Sequence, residues 1–396
     1  MSSIWEEYTI LYRILQEKVE IVFMKIFTPY RVCPLGAHVD HQLGVVTGFA
    51  IDRGVTLEFE PTEDGSIYVV SKNFPGEVAF HVSDEPEREM NWGDFIRGAV
   101  IVLSQKYILN RGIKGVIQGT LPIGGLSSSA AVILTYLNAL CKANDIHLTP
   151  QGIIDLAIRV ERGYIGVNVG KLDQSCEVYC KEGCLLVLDT LDDSGRNIPI
   201  SKDMPSFEIM IMFSGVERSL AGSAYNARVD ECKSAAYAIK ALSGMEYGKY
   251  ADTYLRDIPE GVYESYKDKI PESFAKRAKH YFSEQQRVRK GVEAWKKGDI
   301  VTFGQMMFAS GRSSIENYEA GSKQLTKLQN IIENVDGIYG GRFSGAGFNG
   351  CSMAIIDPAK REQIMEQITE KYLEAFPELR DKFSIHICKT ANGVEL

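Results

Sequence analysis

Residues 121–131, Leu-Pro-Ile-Gly-Gly-Leu-Ser-Ser-Ser-Ala-Ala, restrict the fold more than any other stretch of this chain. A strand-like run (Gly115, Val116, Ile117) leads to a proline, two glycines and three serines, and then a long helix-forming segment begins. The chain must turn tightly there and present a helix N-terminus, whose unpaired N–H groups and macrodipole attract anions. Serine hydroxyls add donors for phosphate, or oxygen ligands for a hard cation such as Mg²⁺. The plainer reading is a strand–turn–helix connection with serine caps.

The full length of 396 residues suits one large or two medium domains with ample core. A formal charge of −8 and the absence of any Lys/Arg block argue against a nucleic-acid or membrane-surface partner. An acidic protein that binds an anion must concentrate positive potential locally. No apolar run reaches the length that spans a bilayer, and the acidic start Met1-Ser-Ser-Ile-Trp-Glu-Glu is unlike a signal peptide. Eight scattered cysteines form no disulfide framework, which suits a reducing cytoplasm. Cys176, Cys180 and Cys184 have no zinc spacing and read as structural thiols.

Periodicity predicts a helix over residues 5–20 and strands over 21–26, 45–50, 55–59, 67–70, 115–118 and 184–189. Helices are expected over 92–105, 128–143 and 150–164, the last opened by the Thr149-Pro150 pair. The polar run 191–199 is read as a linker, dividing the chain into domains 1–199 and 200–396. The second half starts with a strand (207–213) and becomes strongly helical (224–242, 274–297, 300–314, 322–334). It finishes strand (351–356), helix (358–375), strand (384–390). Without regular βαβ alternation the class is α+β.

Gly345-Ala-Gly-Phe-Asn-Gly350 fits the dinucleotide pattern, yet a strand follows it where that fingerprint needs a helix. It reads instead as a glycine loop that approaches a ligand or another backbone. Glu161 lies beside the apolar stripe of its helix and needs a partner. Either Arg159 or Arg162 supplies an edge salt bridge, or Glu161 is a Mg²⁺ ligand facing the serine turn. Arg31 to His41 packs Arg31, His38, Asp40 and His41 around Gly36, as a polar ligand loop or a merely solvated one. Gly170-Lys-Leu-Asp-Gln174 says little alone.

In order along the chain, Arg-Val-x-x-x-Gly-x-His-x-Asp, Pro-Ile-Gly…Leu-Ser-Ser-Ser-Ala-Ala, Gly170-Lys-Leu-Asp-Gln174 and Gly-Ala-Gly-Phe-x-Gly-Cys resemble the GHMP kinases, in particular the galactokinase branch. Ala224-Tyr-Asn-Ala-Arg228 and Arg277-Ala-Lys-His280 add to the likeness. The resemblance implies a ribosomal-S5-like N-terminal domain, a ferredoxin-like C-terminal domain, and ATP-dependent phosphorylation of a sugar's anomeric hydroxyl. It implies Arg31 and Asp173 as the catalytic pair, and Ala37, His38, Asp40, Gly170, Asp173 and Tyr225 around the sugar. Gly124, Gly125, Leu126, Ser127, Ser128 and Ser129 match the phosphate loop, with Gly345, Ala346 and Gly347 closing over ATP. Ser129 and Glu161 match the Mg²⁺ ligands. Sugar and ATP are then the partners, and the protein is expected as a monomer or weak homo-oligomer.

Two departures from the branch matter. The phosphate loop is one residue shorter than usual. Galactose enzymes carry Gly-Glu-His-x-Asp-Tyr where this chain has Gly36-Ala37-His38-Val39-Asp40-His41. In the branch that Glu is a partner of the sugar's 6-hydroxyl. A C6 carboxylate facing it at about 4 Å would cost on the order of 4 kcal/mol at an effective dielectric near 20. Alanine removes that repulsion, so the pattern is similar to galacturonokinases, with galactokinase on galactose as the alternative. Lys171 is a further candidate for the substrate carboxylate, or else a solvated lysine. A non-catalytic sugar and ATP sensor fits the same fold, but retention of Arg31, Glu161 and Asp173 speaks against it.

Overall fold

The computed structural model describes residues 23–121, 124–216 and 222–396. The helix expected over 5–20 and the first two residues of the strand expected over 21–26 lie outside these residues, and the rest of that strand runs into β1. Among the described residues, strands β1 (Met24–Val32), β2 (Val45–Thr62), β3 (Ser66–Ser71), β4 (Glu77–His81), β5 (Gly112–Gly119), β6 (Cys184–Asp189) and β7 (Ser194–Pro199) build one sheet. Its order is β4-β3-β5-β2-β6-β7, with β1 paired to β2 as well, and all pairs antiparallel except β3–β5. Alternating apolar residues on these strands meet helices α1 (Asp94–Ser104), α2 (Ser128–Ala143) and α3 (Pro150–Arg159) in one core. Short α4 (Leu172–Tyr179) packs on α2, β1 and β2.

The second half builds a four-stranded antiparallel sheet from β8 (Glu208–Phe213), β9 (Ile338–Phe343), β10 (Cys351–Ile356) and β11 (Ser384–Cys388), in the order β11-β8-β10-β9. Helices α5 (Gly222–Ser243), α6 (Glu260–Tyr266), α7 (Glu272–Lys296), α8 (Ile300–Glu316), α9 (Lys323–Ile332) and α10 (Arg361–Ala375) accompany it. The α+β class holds. The chain end returns to the first sheet: β12 (Thr390–Ala391) pairs with Ile51 and Ala50, and Val394 N–H donates to Glu177 O at 2.7 Å.

Three expectations change. The strands read at 45–50 and 55–59 are one continuous β2. Gly54 carries the chain through, since a Cβ there would lie 2.1 Å from Thr28 O. The polar run taken for a linker is a β-hairpin. Asp192 Oδ1 accepts from Ser194 N–H at 2.9 Å, Asp193 adopts φ +59°, and 194–199 pairs with 184–189. Its residues Ser-Gly-Arg-Asn lack the apolar alternation that marks a half-buried strand. The helix read over 150–164 keeps α geometry to Arg159 and then widens into a π-turn over Val160–Ile165, which carries Glu161. Such turns often mark functional sites.

Candidate active site

Arg31 is the last residue but one of β1, and α4 begins beside it with Asp173 in its first turn. Arg31 Nε and Nη2 donate to Asp173 Oδ1 at 2.8 and 2.7 Å. Among the described residues no group donates to Asp173 Oδ2. Arg31 Nη1 donates to Gly125 O at 3.2 Å and to Ser344 Oγ at 3.3 Å, and Arg31 N–H donates to Leu126 O at 3.3 Å. One buried guanidinium thus joins the acid, the phosphate loop and the loop after β9.

Those two loops meet backbone to backbone. Gly124 and Gly125 adopt φ +134° and +83°, Gly345 and Gly350 +72° and +100°. A Cβ on Gly125 would lie 2.7 Å from Ser344 O, and one on Gly350 2.6 Å from the Gly124 carbonyl carbon. No other residue type permits this approach. Ser127, at φ +60°, precedes α2 without capping it, and its buried hydroxyl has no partner among the described residues. The serine-cap reading therefore fails at Ser127, and its hydroxyl stands at the helix N-terminus without capping it. Ser128 opens α2 behind it, and Ala346 and Gly347 lie in the opposing loop.

Glu161 makes neither salt bridge considered for it. Arg159 bonds Gln105, and Arg162 bonds Val169 O. Glu161, 3% exposed, instead accepts from Ser129 Oγ at 2.7 Å and from Gln174 Nε2. A carboxylate and a hydroxyl are hard oxygen donors, which suits Mg²⁺ shared with phosphate oxygens rather than caged by protein. Accordingly, no cluster of three or more His, Cys, Asp or Glu able to hold a metal occurs among the described residues.

On the other side of Asp173 lies the 36–41 loop. Asp40 Oδ2 accepts from Leu172 N–H at 3.4 Å, and a Cβ on Gly170 would lie 2.0 Å from that oxygen. Gly170 is therefore obligatory for the placement of Asp40. Burial, and next the Asp173 charge, push Asp40 up to about 6. Ala37 is 4% exposed; its N–H donates to Glu284 Oε1 at 3.2 Å and its carbonyl accepts from His280 Nε2 at 2.9 Å. His38, at φ +59°, stacks on Tyr318 with centroids 4.2 Å apart and planes 8° from parallel. His41 shares a 3.1 Å hydrogen bond with the Tyr318 hydroxyl and meets Tyr225 edge-on at 6.1 Å. Burial drops His41 to about 3, so its ring is neutral at pH 7. A groove of about 630 Å³ lined by Val45, Arg256 and Gln285 contains none of these residues.

The GHMP kinases N terminal domain profile matches residues 94–181, and the GHMP kinases C terminal profile matches residues 292–374. Over 94% of its length the chain is 39% identical to galacturonokinase of Arabidopsis thaliana, covering 93% of that protein. The chain belongs to the GHMP kinase family. This GHMP kinase is also 32% identical to galactokinase of Thermococcus kodakarensis, over 89% of the chain and 95% of the relative. Its structure aligns with crystalline Lactococcus lactis galactokinase complexed with galactose at TM-score 0.88 and 25% identity, covering 98% and 99% of the two chains. Methanococcus jannaschii mevalonate kinase shares the fold at TM-score 0.65 and 18% identity, covering 94% and 100%.

The structure brings the sequence-derived residues of this kinase into one place, with one exception. Lys171 Nζ, on a side chain 28% exposed, is held by both oxygens of Asp193 at 2.7 and 2.6 Å, so a protein carboxylate engages it at the rim of the site. Sequence reasoning missed Ser344, Gln174, Glu284, Tyr318 and Arg342. Ser344 directly precedes the glycine loop, and Glu284 lies one helical turn from His280. Both are polar positions beside motifs, which is the available signal.

Glu177, one turn after Asp173, is fully buried, and neither carboxylate oxygen has a partner among the described residues. Burial, then the Asp173 charge, raise it well above its usual 4.5. A carboxyl raised in the folded state stabilises fully below its unfolded value and loses that stability as pH rises through the folded value. Glu177→Gln removes this loss. Its melting temperature is expected to exceed the parent's by a margin that widens from pH 5 to pH 8. A constant or negative margin in thermal melts over that range contradicts a neutral Glu177.

Proposed function

We propose that this kinase transfers the γ-phosphoryl group of ATP to the anomeric hydroxyl of a galactose-type sugar, galacturonic acid. The observation that carries the reading is the Arg31–Asp173 pair, anchored through Oδ1 with Oδ2 left open between the phosphate loop and the 36–41 loop. Asp173 Oδ2 accepts the hydrogen bond of the anomeric hydroxyl and takes its proton as the oxygen attacks phosphorus. The bond from phosphorus to the ADP oxygen breaks, and ADP leaves with the electron pair. Arg31 holds Asp173 in place and stabilises charge near the attacking oxygen, as positioning-dominated phosphoryl transfer requires. Gly124 to Ser129 cradle the phosphates at the α2 N-terminus, with Gly345, Ala346 and Gly347 opposite. Ala37, His38, Asp40, Gly170 and Tyr225 surround the sugar.

Galacturonate is favoured because residue 37, where the branch places an acid, is an alanine. The 39% identity to a galacturonokinase supports the same choice. Turnover of ATP with each sugar tests the reading, and turnover of neither removes it.

Ser129 and Glu161 would hold Mg²⁺, which when bound neutralises phosphate charge. Gln174 fixes the Glu161 carboxylate in that direction. Glu161→Gln is expected to raise the Mg²⁺ concentration for half-maximal activity by about tenfold or more, with the fold intact, because a neutral oxygen is a weaker ligand for a hard dication. Unchanged Mg²⁺ dependence in a titration would leave Glu161 a purely structural role.

We place the domain junction near residue 200, with residues 390–396 returning to the first domain. All eight cysteines are free and no described helix is long and apolar enough to cross a membrane, which supports a cytoplasmic kinase. The protein is expected as a monomer or weak homo-oligomer.

A further inference from the structure

Beneath the 36–38 loop the buried charges do not balance. Glu284 on α7 accepts through Oε1 from Gly36 N–H (2.7 Å), Ala37 N–H (3.2 Å) and Ser310 Oγ (2.7 Å), and through Oε2 from Arg287 Nε (2.7 Å). Burial alone would raise this acid, but Arg287, His280 and Arg342 hold it down at about 2, so it is fully ionised. Arg342 on β9 is 1% exposed. Among the described residues it donates to Cys33 O at 3.4 Å and Ser314 Oγ at 3.1 Å, and forms no ion pair.

Two guanidiniums therefore share one carboxylate beneath the loop, because the loop's own acid, Asp40, is turned toward Gly170 and Leu172. Among the described residues, three buried nitrogens in the same region lack any partner: Arg342 Nε, Arg287 Nη2 and His38 Nε2. Beyond burial, the groups that act most strongly on His38 are Arg342, the neutral His280 and His41 rings, and Arg31, none of them acidic. A buried cation without a counter-charge costs free energy that an arriving anion can recover.

We propose that this surplus positive charge is the specificity device of the site: Arg342 favours a sugar bearing a carboxylate at C6, and the substrate supplies the counter-charge that Ala37 omits. The inference rests on the galacturonate reading above. Arg342 is too buried to be a contact residue; it acts across Ala37 and His38, where little water screens it. A neutral sugar gains nothing from this field, so the charge separates the two substrates rather than accelerating both.

The test is kcat/KM for galacturonate and galactose in the parent, Arg342→Gln and Glu284→Gln. Arg342→Gln keeps a donor for Cys33 O but removes the charge. It should lower the galacturonate-to-galactose ratio about tenfold or more, chiefly through the galacturonate KM. Glu284→Gln keeps an acceptor for the 36–37 amides but enlarges the surplus, and should raise the ratio. Should Arg342→Gln be recovered unfolded, Glu284→Gln alone decides. Equal losses for both sugars indicate a structural role and overturn the inference, while the galacturonate reading stands if the parent prefers that sugar. A parent that prefers galactose overturns the reading and the inference with it.

Discussion

Asp173→Asn is expected to lower turnover by about 10²–10⁴-fold, the range that a positioned general base contributes, while sugar affinity stays within about tenfold. The amide keeps the size of the carboxylate and can still face the anomeric hydroxyl, but it cannot accept its proton. Arg31 would lose its ionic partner yet remain tied to Gly125 O and Ser344 Oγ, so the loops should keep their arrangement. Single-turnover kinetics with a separate binding measurement divide the two effects. Turnover within tenfold of the parent removes Asp173 from proton transfer and leaves it an orienting role.

Ala37→Glu is expected to depress galacturonate turnover by up to about 10³-fold and to shift preference toward galactose. The structure sharpens the physical reason. Ala37 is buried, and its own N–H bonds the ionised Glu284, so a second carboxylate arrives beside an existing one. It also cancels the surplus charge of Arg342, removing the attraction as it adds a repulsion. Ala37→Gln has the same volume without the charge and separates crowding from electrostatics. Equal losses in the Glu and Gln variants would assign the effect to packing. Full galactokinase activity is not expected, because one substitution does not rebuild the other contacts around C6.

Local chemistry made much of the fold legible. Thr149 accepts from Gly152 N–H at 3.0 Å at the head of α3, and the Ser322 side chain accepts from Leu325 N–H at the head of α9, as their positions before apolar-periodic runs suggest. β7 was not legible because its side chains are largely polar and exposed, so pairing with β6 rather than burial defines it. β4 and β9 are short strands whose neighbours, not their composition, decide their form.

The site divides the same way. Arg31, Asp173, Ser129 and Glu161 sit in motifs whose residue types announce their chemistry. Glu284 and Arg342 do not, because their partners are remote: Gly36 is 248 residues from Glu284, and Cys33 is 309 from Arg342. Which buried arginine lacks a carboxylate is a property of the packed chain. Lys171 shows the converse case: its motif left a substrate contact or a solvated lysine open, and its actual partner, Asp193, comes from the hairpin turn that the polar run forms.

The most direct test of the account is the ratio of kcat/KM for galacturonate to that for galactose, measured with the purified parent protein, ATP and Mg²⁺. A ratio well above one, with phosphate appearing on the anomeric oxygen, is the predicted result. A ratio below one would contradict the account, because Ala37 and the unpaired Arg342 would then favour an anion that the enzyme does not prefer.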